Sequence, residues 1–256
     1  MIKRVRAGGR LVAIVLHTLL LTFTWWAVGL YRNRSVHGRV SWRHAITTRW
    51  ADGLLRIMGC RLDVRGVPPE PPFCLVANHQ GYLDILVVIA TTKARLVSRA
   101  DLAAWPGIGW LARTFGTIFI DRSRSRDIPR VAADMRDVLA EGDGIVFFPE
   151  GTSSSGAGIL PFKASLMSVP AEVGLPVHTA AISYDLPGGD ARTDLCWWGD
   201  MTFADHLWRL LTFPRFNARI QYGHAPIEPA DRKTLSKAAF HSVENLYLQS
   251  PTTTAR

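Results

Sequence analysis

Between Arg10 and Arg32 the chain runs for twenty residues, Leu11 to Leu30, without a formal charge. As a helix this run is about 30 Å long, the thickness of a bilayer's hydrocarbon core, so the chain must set it against lipid or bury it whole. A cleaved secretory leader would end in small residues at its cleavage site. This run ends instead in Trp25-Trp26, followed by Tyr31 and Arg32, side chains that settle at a membrane interface, and it is expected to be retained. Four of the nine tryptophans (Trp25, Trp26, Trp42, Trp50) lie in the first fifty residues among arginines, as in a segment at headgroup level facing anionic lipid. Residues 44–60 resume with apolar side chains at helical spacing, which predicts a second, amphipathic helix lying along the surface. An apolar core helix with a solvated basic flank is the competing reading of the same run.

The formal net charge of +9 suggests nucleic acid until it is located along the chain. Residues 1–50 hold nine Lys/Arg and no acid, which leaves 21 bases and 21 acids for the other 206 residues. A body that is neutral overall lacks the broad basic face that phosphate-backbone binding needs, so no nucleic-acid partner is expected. Cys60, Cys74 and Cys196 are odd in number and far apart, which excludes a disulfide framework and a Cys-x-x-Cys site.

From residue 60 onward short β-branched runs alternate with helical stretches, the pattern of an α/β layer structure with a mostly parallel or mixed central sheet. Strands are predicted near 61–67, 73–77, 95–99, 117–121, 144–148, 177–184 and 216–223, and helices near 82–92, 108–115, 127–141, 163–173, 203–212 and 231–248. Residues 1–60 are read as membrane-anchoring helices, 61–248 as one domain and 249–256 as a tail. Glu244 to Ser250 (ENLYLQS) resembles an engineered protease site, and these last residues are left out of the functional reading.

Three predicted strand ends carry chemistry. The first is Asn78-His79-Gln80-Gly81-Tyr82-Leu83-Asp84, where the buried strand Phe73–Ala77 gives way to a helix. With His79 in the turn and Asp84 in the first helical turn, the carboxylate is able to reach back to one imidazole nitrogen, fix the tautomer and leave the other nitrogen as a general base. An ordinary loop histidine beside a helix-start aspartate fits the same letters. The second is Phe147-Phe148-Pro149-Glu150-Gly151-Thr152, and the third is Gly116-Thr117-Ile118-Phe119-Ile120-Asp121-Arg122. Strand ends gathered on one sheet edge are where α/β proteins build sites. The seven other histidines are scattered without ligand spacing, so neither a metal nor a cofactor is expected.

Together these segments resemble the glycerolipid acyltransferase family typified by bacterial lysophosphatidic acid acyltransferase, with its Asn-His-x4-Asp, Gly-x-x-Phe-Ile-x-Arg, Phe-Pro-Glu-Gly-Thr and Pro-containing strand blocks in that order over about residues 50–225. The resemblance implies that His79 is the base and Asp84 its partner. It implies an acceptor site of Arg122, Glu150, Gly151 and Thr152, and motif residues Asn78, Gly116, Phe148, Pro149 and Pro176. Many lysophosphatidic acid members carry arginine directly after Phe-Pro-Glu-Gly-Thr, where this chain has Ser153, and members that acylate lyso-ornithine lipid are similar to it in this respect. Lys163 is an alternative source of charge at the acceptor site, or a solvated lysine at a helix start.

The implied reaction is acyl transfer from a thioester, acyl-coenzyme A or acyl carrier protein, to the free hydroxyl of a lysolipid. 1-Acyl-glycerol-3-phosphate is the expected acceptor and lyso-ornithine lipid the alternative. Backbone amides near the strand-to-helix turn are expected to hold the oxyanion. A hydrolase would need a nucleophile beside His79, and no Gly-x-Ser-x-Gly elbow occurs; a non-catalytic membrane-binding module would leave the strand-end clusters unexplained. Membrane lipids are the expected surroundings. The implied location is a bacterial inner membrane, with the catalytic body facing the cytoplasm, where activated acyl donors are made. The bases before Leu11 resist translocation, which favours a run that dips into the membrane and returns with residues 44–60 over one that spans it.

Overall fold

The computed structural model describes residues 1–32, 35–121 and 127–249. Two helices open the chain, α1 (Ile2–Arg32) and α2 (Val36–Met58). There follow β1 (Cys60–Arg65), β2 (Phe73–Ala77), α3 (Tyr82–Thr91), β3 (Ala94–Arg99), a 3-10 turn (Ala100–Ala104), α4 (Ile108–Thr114), β4 (Ile118–Ile120), α5 (Asp127–Ala140) and β5 (Gly144–Phe147). The chain closes with α6 (Ser168–Val173), β6 (Val177–Asp185), α7 (Ala191–Asp194), α8 (Phe203–Thr212), β7 (Phe216–Tyr222) and α9 (Arg232–Leu248).

The seven strands form one sheet in the order β1-β7-β6-β2-β5-β3-β4, parallel throughout except for the antiparallel β6–β7 pair. β2 lies in the interior of the sheet and every residue of it is buried, as its unbroken apolar run requires of a strand covered on both faces. Its pleat divides the core: Phe73, Leu75 and Ala77 face a cluster with α2, α3 and α8, while Cys74 and Val76 face one with α5, α6 and α9. β6, β2, β5, β3 and β4 run the same way, so the segments after β2, β5 and β3 emerge on one edge of the sheet.

α1 lies against α2 and reaches the body at α8. Ala7 is fully buried, Arg6 Nη1 donates to the Thr212 carbonyl at 2.8 Å, and Arg10 donates to the carbonyls of Leu211, Phe213 and Pro214, capping the open C-terminus of α8. Gly53 lets the two helices touch, since a Cβ there would meet His17 Nε2 at 2.2 Å. The outer face of α1 is bare: Leu16, Leu19, Leu20, Phe23 and Trp26 are exposed, and α1 is long and apolar enough to cross a membrane.

Some expectations change. The second helix starts at Val36 rather than 44, capped by Ser35 Oγ on Gly38 N at 3.0 Å, and its Ala51, Leu54, Leu55 and Met58 belong to the core rather than to a surface face. The helix predicted at 163–173 begins only at Ser168, because Lys163 N–H donates to the Pro149 carbonyl at 2.9 Å and ties the preceding segment to the β5 loop. The helix expected at 231–248 is present as α9, and its last turns from Glu244 put Leu246 in the core, with Tyr247 Oη donating to the Gly156 carbonyl at 2.6 Å.

Candidate active site

Asn78 continues β2 by one residue's worth of pairing. Its Nδ2 donates to the Ile182 carbonyl at 2.9 Å and its Oδ1 accepts from Ile182 N at 2.7 Å, so the side chain clamps the turn to β6 where the backbone pairing has ended. The chain then turns through His79, Gln80 and Gly81 into α3. Gly81 has φ +149, and a Cβ on it would meet Trp197 N at 2.9 Å, so both conformation and room require glycine.

Asp84 lies in the first turn of α3 with no exposure at all. Its Oδ2 accepts from Gln80 N at 2.5 Å and Gly81 N at 2.9 Å, and lies 2.7 Å from His79 Nδ1. Its Oδ1 accepts from Tyr184 Oη on β6 at 2.6 Å. A buried carboxylate so placed assigns the imidazole proton to Nδ1 and leaves the Nε2 lone pair available. The His79 side chain is 21% exposed and its ring stacks on Phe148, centroids 4.3 Å apart and planes 11° from parallel.

The loop after β5 is laced to the same turn. Glu150 Oε1 accepts from His79 N at 2.9 Å, and Ser154 donates to the His79 carbonyl through N at 2.9 Å and Oγ at 3.1 Å. Glu150 is 1% exposed, and among the described residues its Oε2 has no hydrogen-bond partner. Burial pushes its carboxyl up to about 8, helped by the Asp84 charge and opposed by the N–H groups of His79 and Leu160.

His79 and Phe148 stand on the wall of a cleft of about 380 Å³. Gly151, Thr152 and Ser153 line it as well, and the rest of the wall is largely apolar, with Ile85 and Ile89 of α3, Trp105, Ile108 and Leu111 around α4, and Trp50 of α2. Phe115, at the end of α4, packs edge-on against both Trp25 and Trp50, so the two N-terminal helices are continuous with the cleft wall. Its two arginines among the described residues are paired: Arg95 with Glu141 and Asp143, Arg99 with Asp101.

The structure thus gathers His79, Asp84, Phe148, Gly151 and Thr152 at one place. Glu150 lies beneath the turn rather than on the cleft wall, and Pro149 is buried beside it. Lys163 is exposed and outside the cleft wall, in a segment tied by its N–H to the Pro149 carbonyl. Gly116 serves the turn into β4 with φ +78, and Pro176 precedes β6 at the far end of the sheet, where Val177 pairs with Cys74. Arg122 lies outside the described residues. The turn amides of Gln80 and Gly81, expected to face an oxyanion, are both committed to Asp84. Sequence reasoning missed Tyr184, Ser154 and the apolar wall around α4. The apolar spacing near 108–115 marked a helix, but only the fold shows what it faces.

A mixed sheet with a histidine–aspartate pair at the strand ends, opening into an apolar cleft, fits the acyltransferase family, and the chain belongs to that family. Residues 61–183 match the family model described as Acyltransferase. The chain is 35% identical over 245 residues to a Lyso-ornithine lipid O-acyltransferase of Rhodobacter capsulatus, covering 93% of this chain and 87% of that one. It is 34% identical to the Lyso-ornithine lipid O-acyltransferase of Pseudomonas aeruginosa over 78% of each chain. A 1-acyl-sn-glycerol-3-phosphate acyltransferase of Neisseria meningitidis is 31% identical over 66% of this chain and 67% of that one. Among solved structures, the 1-acyl-sn-glycerophosphate acyltransferase PlsC of Thermotoga maritima shares the fold, with a TM-score of 0.64, 20% identity, and coverage of 95% of this chain and 99% of that one.

Proposed function

We propose that this acyltransferase moves a fatty acyl group from an acyl thioester, acyl-coenzyme A or acyl carrier protein, to the hydroxyl of a lysolipid, with His79 as general base. The observation that carries the reading is a His79 imidazole held by a fully buried Asp84 through Nδ1 and standing on the wall of an apolar cleft. His79 Nε2 takes the hydroxyl proton as the oxygen attacks the thioester carbonyl; the carbon–sulfur bond then breaks and the thiolate recovers the proton from the imidazolium. With the turn amides committed to Asp84 and the Gly151 amide to the Phe148 carbonyl, Thr152 and Ser153 on the cleft wall are the candidates to supply oxyanion donors.

Lyso-ornithine lipid is the acceptor this reading favours, ahead of the 1-acyl-glycerol-3-phosphate expected from sequence. An amino-acid headgroup carries an amine and a carboxylate, whereas a phosphate monoester needs unpaired positive charge. The described arginines of the cleft are already paired with carboxylates, and Ser153 stands where the resemblance to lysophosphatidic acid members leads one to expect an arginine. The two relatives of highest identity given above act on lyso-ornithine lipid by name. Lysophosphatidate remains the second reading, carried by the Neisseria relative.

The test is an acceptor panel with purified protein in lipid micelles. Lyso-ornithine lipid is expected to give a kcat/KM at least about tenfold above lysophosphatidate. The reverse order moves the assignment to lysophosphatidate, and thioester hydrolysis without acyl transfer defeats both. The membrane reading follows from α1. Its N-terminal turns are bonded to α8 of the body, which supports a helix pair that enters one leaflet and returns, with both the N-terminus and the catalytic body on the cytoplasmic side of the inner membrane.

A further inference from the structure

We propose that Tyr184 is a positioning residue of the transfer reaction, holding Asp84 so that the carboxylate sets the basicity of His79. The inference rests on His79 acting as the base. Tyr184 lies in β6, one hundred residues from Asp84 in the chain, and it is not part of the cleft wall, so it acts only through its neighbour.

The geometry divides the carboxylate in two. Oδ2 serves the turn and the imidazole, with Gln80 N, Gly81 N and His79 Nδ1 around it, while the hydrogen bond to Oδ1 comes from Tyr184 Oη. Asp84 is fully buried and Tyr184 is 8% exposed, so no bulk water stands ready to replace the phenol. A buried anion that loses one donor draws harder on those that remain. Without the Tyr184 hydroxyl, Asp84 pulls more strongly on the His79 Nδ1 proton, and the imidazolium form of His79 becomes more stable. The phenol stays a donor across the working pH range, because burial and then the Asp84 charge push its ionisation well up. The other titratable groups around the pair include Glu150, bonded to His79 N, the thiols Cys60 and Cys196 near Tyr184, Tyr247 of α9, which feels the Asp84 charge, and Tyr82, bonded to His206. All of them are common to wild type and variant, so a difference between the two profiles reports on position 184.

The experiment is the pH profile of kcat/KM for Tyr184→Phe. The acid limb of the profile is expected to move to higher pH by about half a unit to one unit, with about a three- to tenfold loss on its slope. Placed in an Asp84→Asn background, Tyr184→Phe is expected to cost little more, since the route to His79 has already been cut. Site-specific replacement of Tyr184 by a fluorinated tyrosine keeps the shape and strengthens the donor, and it is expected to move the limb the opposite way, which keeps the inference testable even if the phenylalanine variant fails to fold. An acid limb that stays in place in both variants, or an equal loss with and without Asp84, overturns it. His79→Ala measured in parallel separates the two claims: near-normal turnover there defeats the base itself, whereas an inactive His79→Ala beside unmoved limbs defeats only the role of Tyr184.

Discussion

At position 150 the chain buries a carboxyl group almost completely, with one oxygen accepting the His79 N–H and the other unpartnered among the described residues. Its ionisation lies at about 8, above the ordinary glutamate value of about 4.3, so the sign of its effect on stability is fixed. Below about pH 4.3 both native and unfolded states hold the proton; as the pH rises towards 8 only the unfolded state releases it, and stability falls. Glu150→Gln keeps the acceptor for His79 N–H and removes the titration. Its melting temperature is expected to gain on the wild type between about pH 5 and 8, by roughly 2–4 °C for each kcal/mol relieved. Melting curves at the two ends of that range decide it, and a constant difference would show that Glu150 is ionised in the native protein. The His79–Asp84 contact was legible because a histidine in the turn is within reach of a carboxylate in the first helical turn and the other strand-end blocks marked the pair out. Tyr184 was not, because an aromatic in a largely buried strand looks the same whether or not its hydroxyl meets a carboxylate.

At the scale of elements, all seven strands stand within a few residues of where the sequence pattern placed them: β2 and β5, covered on both faces, are unbroken apolar runs, and β7 alternates with period two. The helices failed where tertiary bonds override local pattern, as at Lys163, and where a short helix, α7, has too few residues to show a period. The sequence also hid what joins α2 to the sheet. Asp143, just before β5 and fully buried, pairs with Arg43 and His44 of α2 and with Arg95 of β3, and Arg95 in turn pairs with Glu141. Burial pushes the Asp143 carboxyl up, but His44, Arg43 and Arg95 together outweigh it and hold it below the usual range. That contribution is therefore present above about pH 4 and lost as the pH falls below it. Asp143→Asn leaves the buried Arg43 guanidinium without its carboxylate and Arg95 with Glu141 alone, and is expected to cost about 3–5 kcal/mol in denaturant unfolding. A loss under about 1 kcal/mol would show that the cluster does not hold α2 in place.

For the whole molecule, the two N-terminal helices and the cleft form one arrangement. Trp50 of α2 is at once a cleft wall and a neighbour of α1, its Nε1 donating to Thr18 Oγ1 at 3.1 Å, so the cleft lies beside the helix that is long and apolar enough to cross a membrane. Leu16→Glu with Leu20→Glu places charges on the bare face of α1 without touching its packing, since those side chains are 61% and 62% exposed. The double variant is expected to leave the membrane fraction while keeping its fold, because a charge at the centre of an inserted helix costs on the order of 3 kcal/mol. Unchanged sedimentation with membranes would remove that face from the lipid contact. The most direct test of the account is single-turnover transfer of a labelled acyl group from the thioester to lyso-ornithine lipid, comparing wild type with His79→Ala. The account expects the variant to remain folded and membrane-bound with transfer slowed about 10²–10⁴-fold, and transfer at the wild-type rate would contradict it.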